Sequence, residues 1–231
     1  MPPLAAELDL LAGEVGRPVT DRDLPISFVA DAAAEGGYEA RIAATGRVAT
    51  RDANWHDLFN ALVWLRYPRI KAAMNARHCI EIENRPGGDR GPVRDALTQF
   101  DEDGLVLVTD DAALIDALRS HRWREALFER RGSVERAALH VIGHALMEKA
   151  LAPHFGLCAK ALYMHADEVP SGHEALDSWL AGLITGGRWP ISPRDLKPLP
   201  VLGLPGMTSA NTDPAYFDDT RQFRPLPAMR Q

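Results

Sequence analysis

Eight of the chain's 17 prolines lie beyond Gly186. Proline fixes φ and has no N–H to give a ladder, so that stretch can hold neither a long helix nor a central strand. Its apolar side chains (Val201, Leu202, Leu204, Tyr216, Phe217, Phe223) predict an extended arm, residues 186–231, that lies against a body formed upstream. The 231 residues are 46% hydrophobic and 25% charged, enough for a buried core in one unit without staples.

The body is expected to be a helical core over residues 51–185. Asn54 is a good N-cap for a helix from Trp55 to Arg66, and Pro68 suits the first turn of the next, to about Glu83. Residues 84–92 read as a loop. Alternation over Asp95 to Phe100 and the apolar run Leu105 to Thr109 read as two strands of a hairpin about Asp101-Glu102-Asp103-Gly104. Asp110 or Asp111 caps a helix to about Ser120, Ser133 caps a long one to Ala152, and Leu157 to Met164 reads as a strand. The first 50 residues read as loosely ordered, with a short helix near Leu4 to Ala12 and a hairpin from Tyr38 to Thr50. The fold class that follows is α+β: a mainly helical single domain with a small antiparallel sheet and a Pro-rich extended arm.

Charge excludes some functions. The 26 basic and 32 acidic side chains leave a net −6, a poor basis for nucleic-acid or anionic-membrane binding. Basic and acidic blocks alternate along the chain, as they do on solvated faces that pair across a fold or on the two walls of a bipolar cleft. Two cysteines, Cys79 and Cys158, build no disulfide framework. The N-terminus lacks the basic region of a signal peptide, and no apolar run is long enough to span a bilayer. The expected location is the cytoplasm.

Three polar constellations could carry chemistry. On the expected long helix, His140, His144 and Glu148 recur every fourth residue, within a sector about 80° wide. Such a set can ligate a divalent metal, or be a solvated or hydrogen-bonded face. In the Trp55 helix, a wheel puts Trp55, Leu58, Phe59, Leu62 and Leu65 on the core stripe, with His56, Asp57, Asn60 and Trp64 opposite. Those four are one wall of a site, or Asp57 simply complements the helix dipole. In the third, Arg94, Asp95, Asp101 and Glu102 are turn-region polar groups, or a substrate clamp and a general base. There is no Walker A loop, no GxGxxG after a strand and no GxSxG elbow.

The segments Asn54-Trp-His-Asp-Leu-Phe-Asn-Ala-Leu-Val-Trp-Leu65, Arg94-Asp-Ala-Leu-Thr-Gln-Phe-Asp-Glu102 and Gly143-His-Ala-Leu-Met-Glu-Lys149 resemble a bacterial family catalogued as domain of unknown function 3025. The tail, Leu199-Pro-Val-Leu-Gly-Leu-Pro-Gly206 with Asn211-Thr-Asp-Pro and Phe223-Arg-Pro225, resembles it too. The resemblance implies one folding unit and brings no mechanism.

The leading expectation is a small-molecule enzyme. A divalent metal (zinc, manganese or iron) would be held by His144 and Glu148 with His56, Asp57 or His140, and would assist hydrolysis. Asp101 or Glu102 would be the base, Arg94 would hold an anionic group, and Asn60, Trp64 and Asp95 would contact substrate. The rival is a binding or scaffold protein with a protein partner, in which the same residues form a buried network. A histidine-ligated haem is the third possibility. Oligomeric state is left open.

Overall fold

A computed structural model describes residues 5–30, 37–85 and 90–226. Helices dominate: α1 (Ala5–Val15), α2 (Tyr38–Thr45), α3 (Trp55–Arg66), α4 (Pro68–Asn84), α5 (Gly91–Asp103), α6 (Ala112–Arg119), α7 (Arg131–Arg136), α8 (His144–Ala150) and α9 (His173–Thr185). Strands β1 (Ser27–Val29) and β2 (Arg47–Ala49) pair in parallel. Four more, β3 (Gly104–Thr109), β4 (Ala138–Val141), β5 (Cys158–His165) and β6 (Lys197–Pro200), form a sheet in the order β4-β3-β5-β6. The fold is α+β, as expected.

The α3–α4 pair forms as its sequence predicts. Asn54 Oδ1 accepts from the Asp57 N–H at 2.9 Å and opens α3. Pro68 opens α4, whose next two N–H groups, of Arg69 and Ile70, donate to the buried Asp177 carboxylate of α9 at 3.0 and 2.8 Å. A side chain distant in sequence thus caps α4 and ties it to α9.

Strand β3 divides the interior. Leu105 and Leu107 face a core made with α6, the residues after it and the C-terminal arm; Val106 faces one made with α4, α5 and α9. Burial on both faces explains its unbroken run Leu105-Val-Leu-Val108. A third core joins α1, α2, α3 and the β1–β2 pair. The tail contributes Leu199, Val201, Leu204, Phe217 and Phe223 to the first core, so these side chains are part of the body's packing.

Several expectations are corrected. Residues 95–100 are helical: Ala96, Leu97 and Phe100 are buried at helical spacing in α5, with Pro92 in its first turn. The 95–109 hairpin is therefore a helix running directly into β3. Gly104 makes that junction possible, since a Cβ there would lie 2.1 Å from the Phe100 carbonyl oxygen. The sheet is mixed: β3–β4 and β5–β6 are antiparallel, but β3–β5 is parallel because a crossover connects them. The helix expected over 133–152 is broken into α7, β4 and α8, since the edge of β3 recruits residues 138–141 and both Ile142 and Gly143 donate to the Gly104 carbonyl. Tyr38–Thr45 is helix α2 in place of a hairpin arm. It ends at Gly46 (φ 68°), where the chain turns to bring β2 alongside β1. Helix α3 also buries more of its polar side than its wheel predicts, although Leu58 of the apolar stripe stays in the core. Trp55 and Leu62 are exposed, while Asp57, Asn60 and Trp64 are buried.

Candidate metal centre

The polar side of α3 lines a cavity of about 480 Å³. Five helices converge there. The first turns of α3 supply His56, Asp57 and Asn60, α4 supplies His78, the last turn of α5 supplies Asp101 and Glu102, and α8 begins with His144. Tyr38 and Glu39 of α2 close one side, and Arg51 and Arg90 stand half-exposed or more at the rim.

Gly143 brings α8 to the acidic end of α5. A Cβ at this glycine would lie 2.4 Å from the Gly104 nitrogen and 2.5 Å from the Asp103 carbonyl carbon. Lys149 donates to Asp103 at 2.6 Å and fastens the same contact further along. The result seats His144, 4% exposed, beside Asp101 and Glu102.

At the centre, His144 Nε2 lies 2.9 Å from His56 Nε2 and 3.9 Å from Glu102 Oε2. One ligand atom from each of the three falls within 4.8 Å of the others. Zinc bonds of about 2.0–2.1 Å place tetrahedral ligands about 3.3 Å apart, so small side-chain rotations would close this set on an ion.

Each imidazole has a carboxylate behind it. His56 Nδ1 contacts Glu148 Oε2 at 3.0 Å; a carboxylate only accepts, so Nδ1 carries a proton, which in the neutral ring leaves the Nε2 lone pair turned to His144. The other imidazole's Nδ1 is buried without a hydrogen bond, 3.8 Å from Asp101 Oδ1. Carboxylates behind metal-binding histidines fix the tautomer and orient the ring. Burial pushes the His144 pKa down to about 4, which keeps the ring neutral as a ligand must be. Burial also raises the Glu102 carboxyl. It would raise Asp101 too, but Lys71 outweighs it and holds that carboxyl low: Lys71 Nζ donates to Asp101 Oδ1 at 2.5 Å and to Asn60 Oδ1 at 2.9 Å.

The residues expected from sequence part company here. His56, His144 and Glu102 come together. Glu148 stands behind His56 and is not among the converging ligand atoms. Asp57 is withdrawn from the ligand set, because Arg51 holds both its oxygens, at 2.8 and 2.9 Å. His140 sits on β4 against the Tyr67 hydroxyl at 3.2 Å; the break in the expected helix took it off the face of His144. Asn60 lines the cavity and Trp64 a crevice behind it. Asp95 pairs with Arg90 at 3.5 Å, and neither it nor Arg94 lines the cavity; Arg94 is near enough to act electrostatically on Glu39 and His78.

Sequence reasoning missed Tyr38, Glu39, Lys71 and His78. The last two did leave a signal: Lys71, Asn75 and His78 are spaced i, i+4, i+7, a polar stripe on one face of α4. All three are buried.

Among the described residues no helix is long and apolar enough to cross a membrane. Neither the curated proteins nor the solved structures yield a match to this chain. A family profile described as Protein of unknown function (DUF3025) matches residues 26–227, a span that contains the whole candidate centre, and the chain belongs to that family.

Proposed function

We propose that His56, His144 and Glu102 hold a divalent metal, zinc, manganese or iron, in a cytoplasmic enzyme that hydrolyses a small molecule bound in the adjoining cavity. The observation that carries this reading is the convergence of two imidazole Nε2 atoms and a carboxylate on one point of the cavity wall, with Glu148 and Asp101 behind the rings. With the proton on Nδ1 of each ring, both Nε2 lone pairs would be available to share one cation. A bound ion would polarise the substrate and lower the pKa of a coordinated water. The residues of the chain divide the remaining work. Glu102 is a ligand on the cavity side, Glu148 holds the His56 ring, Asp101 stands behind His144, and Arg51 and Arg90 offer guanidinium hydrogen-bond donors at the mouth for an anionic part of the substrate.

One observation favours a second reading. The 2.9 Å Nε2–Nε2 distance also suits a hydrogen bond, with His144 donating to His56. A hydrogen-bonded chain from Glu148 through His56 to His144, beside the Asp101–Lys71 pair, would then be a structural network in a binding or scaffold protein. Elemental analysis separates the two. The protein, prepared without chelator or metal-binding tag and offered zinc, manganese and iron in turn, is expected to retain about one ion per chain and to lose it in His144→Ala. A protein that takes up none of the three, with His144→Ala only lowering its melting temperature, decides for the network.

A further inference from the structure

The cavity has a second polar end, away from the three ligand atoms. His78 is 6% exposed and lines the cavity, and its ring makes no hydrogen bond to another described residue. Burial depresses its pKa to about 4, so the ring offers one donor and one acceptor, both uncharged. Tyr38 lies on the same wall, and the direction of its hydroxyl follows from its neighbours. Lys71 has only donors and binds Asn60 Oδ1, so the Asn60 amide must turn its Nδ2 to Tyr38 and donates at 2.8 Å. Tyr38 Oη is thus the acceptor, and its own proton is left for the cavity.

These two groups also line a small crevice of about 10 Å³ that adjoins the cavity. Two further buried polar atoms on its lining lack partners: Trp64 Nε1, a donor, and Asn75 Oδ1, an acceptor. The charged groups nearby are occupied, Lys71 with Asp101 and Glu39 with Asn75 Nδ2 at 2.6 Å. What remains unused is a set of uncharged donors and acceptors: His78 and Tyr38 on the cavity itself, and Trp64 and Asn75 on a crevice with room for about one water-sized group. Leaving such groups unpaired costs about 1–3 kcal/mol each, and a ligand atom that pairs them recovers this.

We propose that His78, Tyr38, Trp64 and Asn75 form a recognition subsite for a small uncharged hydrogen-bonding terminus of the substrate, of the primary carboxamide kind. The proposal rests on the reading of this cavity as a substrate site. It makes the substrate a two-ended molecule: its reacting group lies at His56, His144 and Glu102, and its neutral polar end lies in the cavity against His78 and Tyr38, with one N or O atom reaching towards Trp64 and Asn75.

Acetamide and acetate have the same shape and differ in charge, so they are the probes. In NMR titrations at neutral pH, with and without zinc, the reporters are the His78 ring C–H and the Trp64 indole N–H. Acetamide is expected to move both saturably, with the midpoint raised roughly tenfold in Tyr38→Phe, as loss of one hydrogen bond implies. Acetate is expected to leave both in place. Acetate moving them as strongly, acetamide not moving them, or an unchanged midpoint in Tyr38→Phe would each overturn the subsite. Because the titration also runs without zinc, acetamide binding to a protein that takes up no metal would sink the metal reading and leave the subsite standing.

Discussion

His56 and His144 face each other Nε2 to Nε2 across 2.9 Å, although 88 positions separate them in the chain. One ring enters from the first turn of α3, the other from the first residue of α8, and Glu102 joins them from the end of α5. Behind them stand Glu148 and Asp101, each placed by a different helix. Five polar side chains from three helices thus form two layers. Packing alone gives no reason for so many ionisable groups at one point.

The outer layer can be tested through metal affinity. Glu148 touches His56 Nδ1 at 3.0 Å and is partly exposed, so its loss leaves no buried charge behind. Glu148→Ala is expected to weaken zinc binding by about 10–100-fold, the usual effect of removing such a partner, with little change in melting temperature. Competition with a chromophoric chelator measures this. Wild-type affinity in the variant would mean that the carboxylate does not orient the ring.

Lys71 tests the support behind His144. Its ammonium is 4% exposed and held by Asp101 and Asn60. Removing one partner of a buried pair leaves the other uncompensated, at a cost of about 3–5 kcal/mol. Asp101 keeps some exposure, so Lys71→Met is expected to lower stability by about 3 kcal/mol in urea unfolding. A loss below about 0.5 kcal/mol, the range of ordinary surface changes, would show that the pair is not confined.

The α3–α4 pair was legible because its signals are local: Asn54 caps, Pro68 starts, and neither depends on distant residues. The α5 error was avoidable. Behind Pro92, Val93, Ala96, Leu97 and Phe100 recur at i, i+3, i+4 and i+7, a helical pattern that the acidic turn residues 101–103 obscured. The break before His144 was not legible, since residues 138–141 leave a helical pattern to pair with β3. His56 and His144 were expected to share a metal, with Glu102 as a candidate base beside them. That Glu102 converges with the two rings while Glu148 stands behind one of them, and that the polar side of α3 is the more buried one, was not legible. A cavity rewards the polar side of that helix, and periodicity carries no information about where a cavity lies.

Acid should destabilise the metal-free protein through His78. Its folded pKa of about 4 lies below the ordinary value of 6.5, so between these pH values the unfolded chain binds the proton and the folded one does not. The stabilising effect is complete above 6.5, falls away as pH drops towards 4, and changes no further below that. At about 1.4 kcal/mol per pKa unit, the loss reaches about 3 kcal/mol. Glu39 and Glu102, raised by burial, act in the opposite sense, so the test is a difference. Urea midpoints of wild type and His78→Gln, followed from pH 7.5 to 4.5, should converge as pH falls. Parallel curves would mean that His78 titrates normally.

Gly143 decides whether the centre exists at all. Its φ of −68° suits any residue, so backbone freedom is not what this position requires. Space is: a Cβ would lie 2.4 Å from the Gly104 nitrogen and within 2.6 Å of two Asp103 backbone atoms. None of these is the tip of a flexible side chain, so the backbone itself must part. The segment that would move leads directly into His144, while the atoms it moves away from follow Asp101 and Glu102. Gly143→Ala is therefore expected to lower the melting temperature and also to weaken zinc binding by more than Glu148→Ala does, since it separates two ligands at once. Gly132→Ala, whose nearest neighbour is the guanidinium tip of Arg136 at 3.5 Å, is the control and should alter neither. A Gly143→Ala protein that melts and binds zinc like the wild type would show that α8 reaches α5 by some other contact, and Lys149 with Asp103 would be the next to remove.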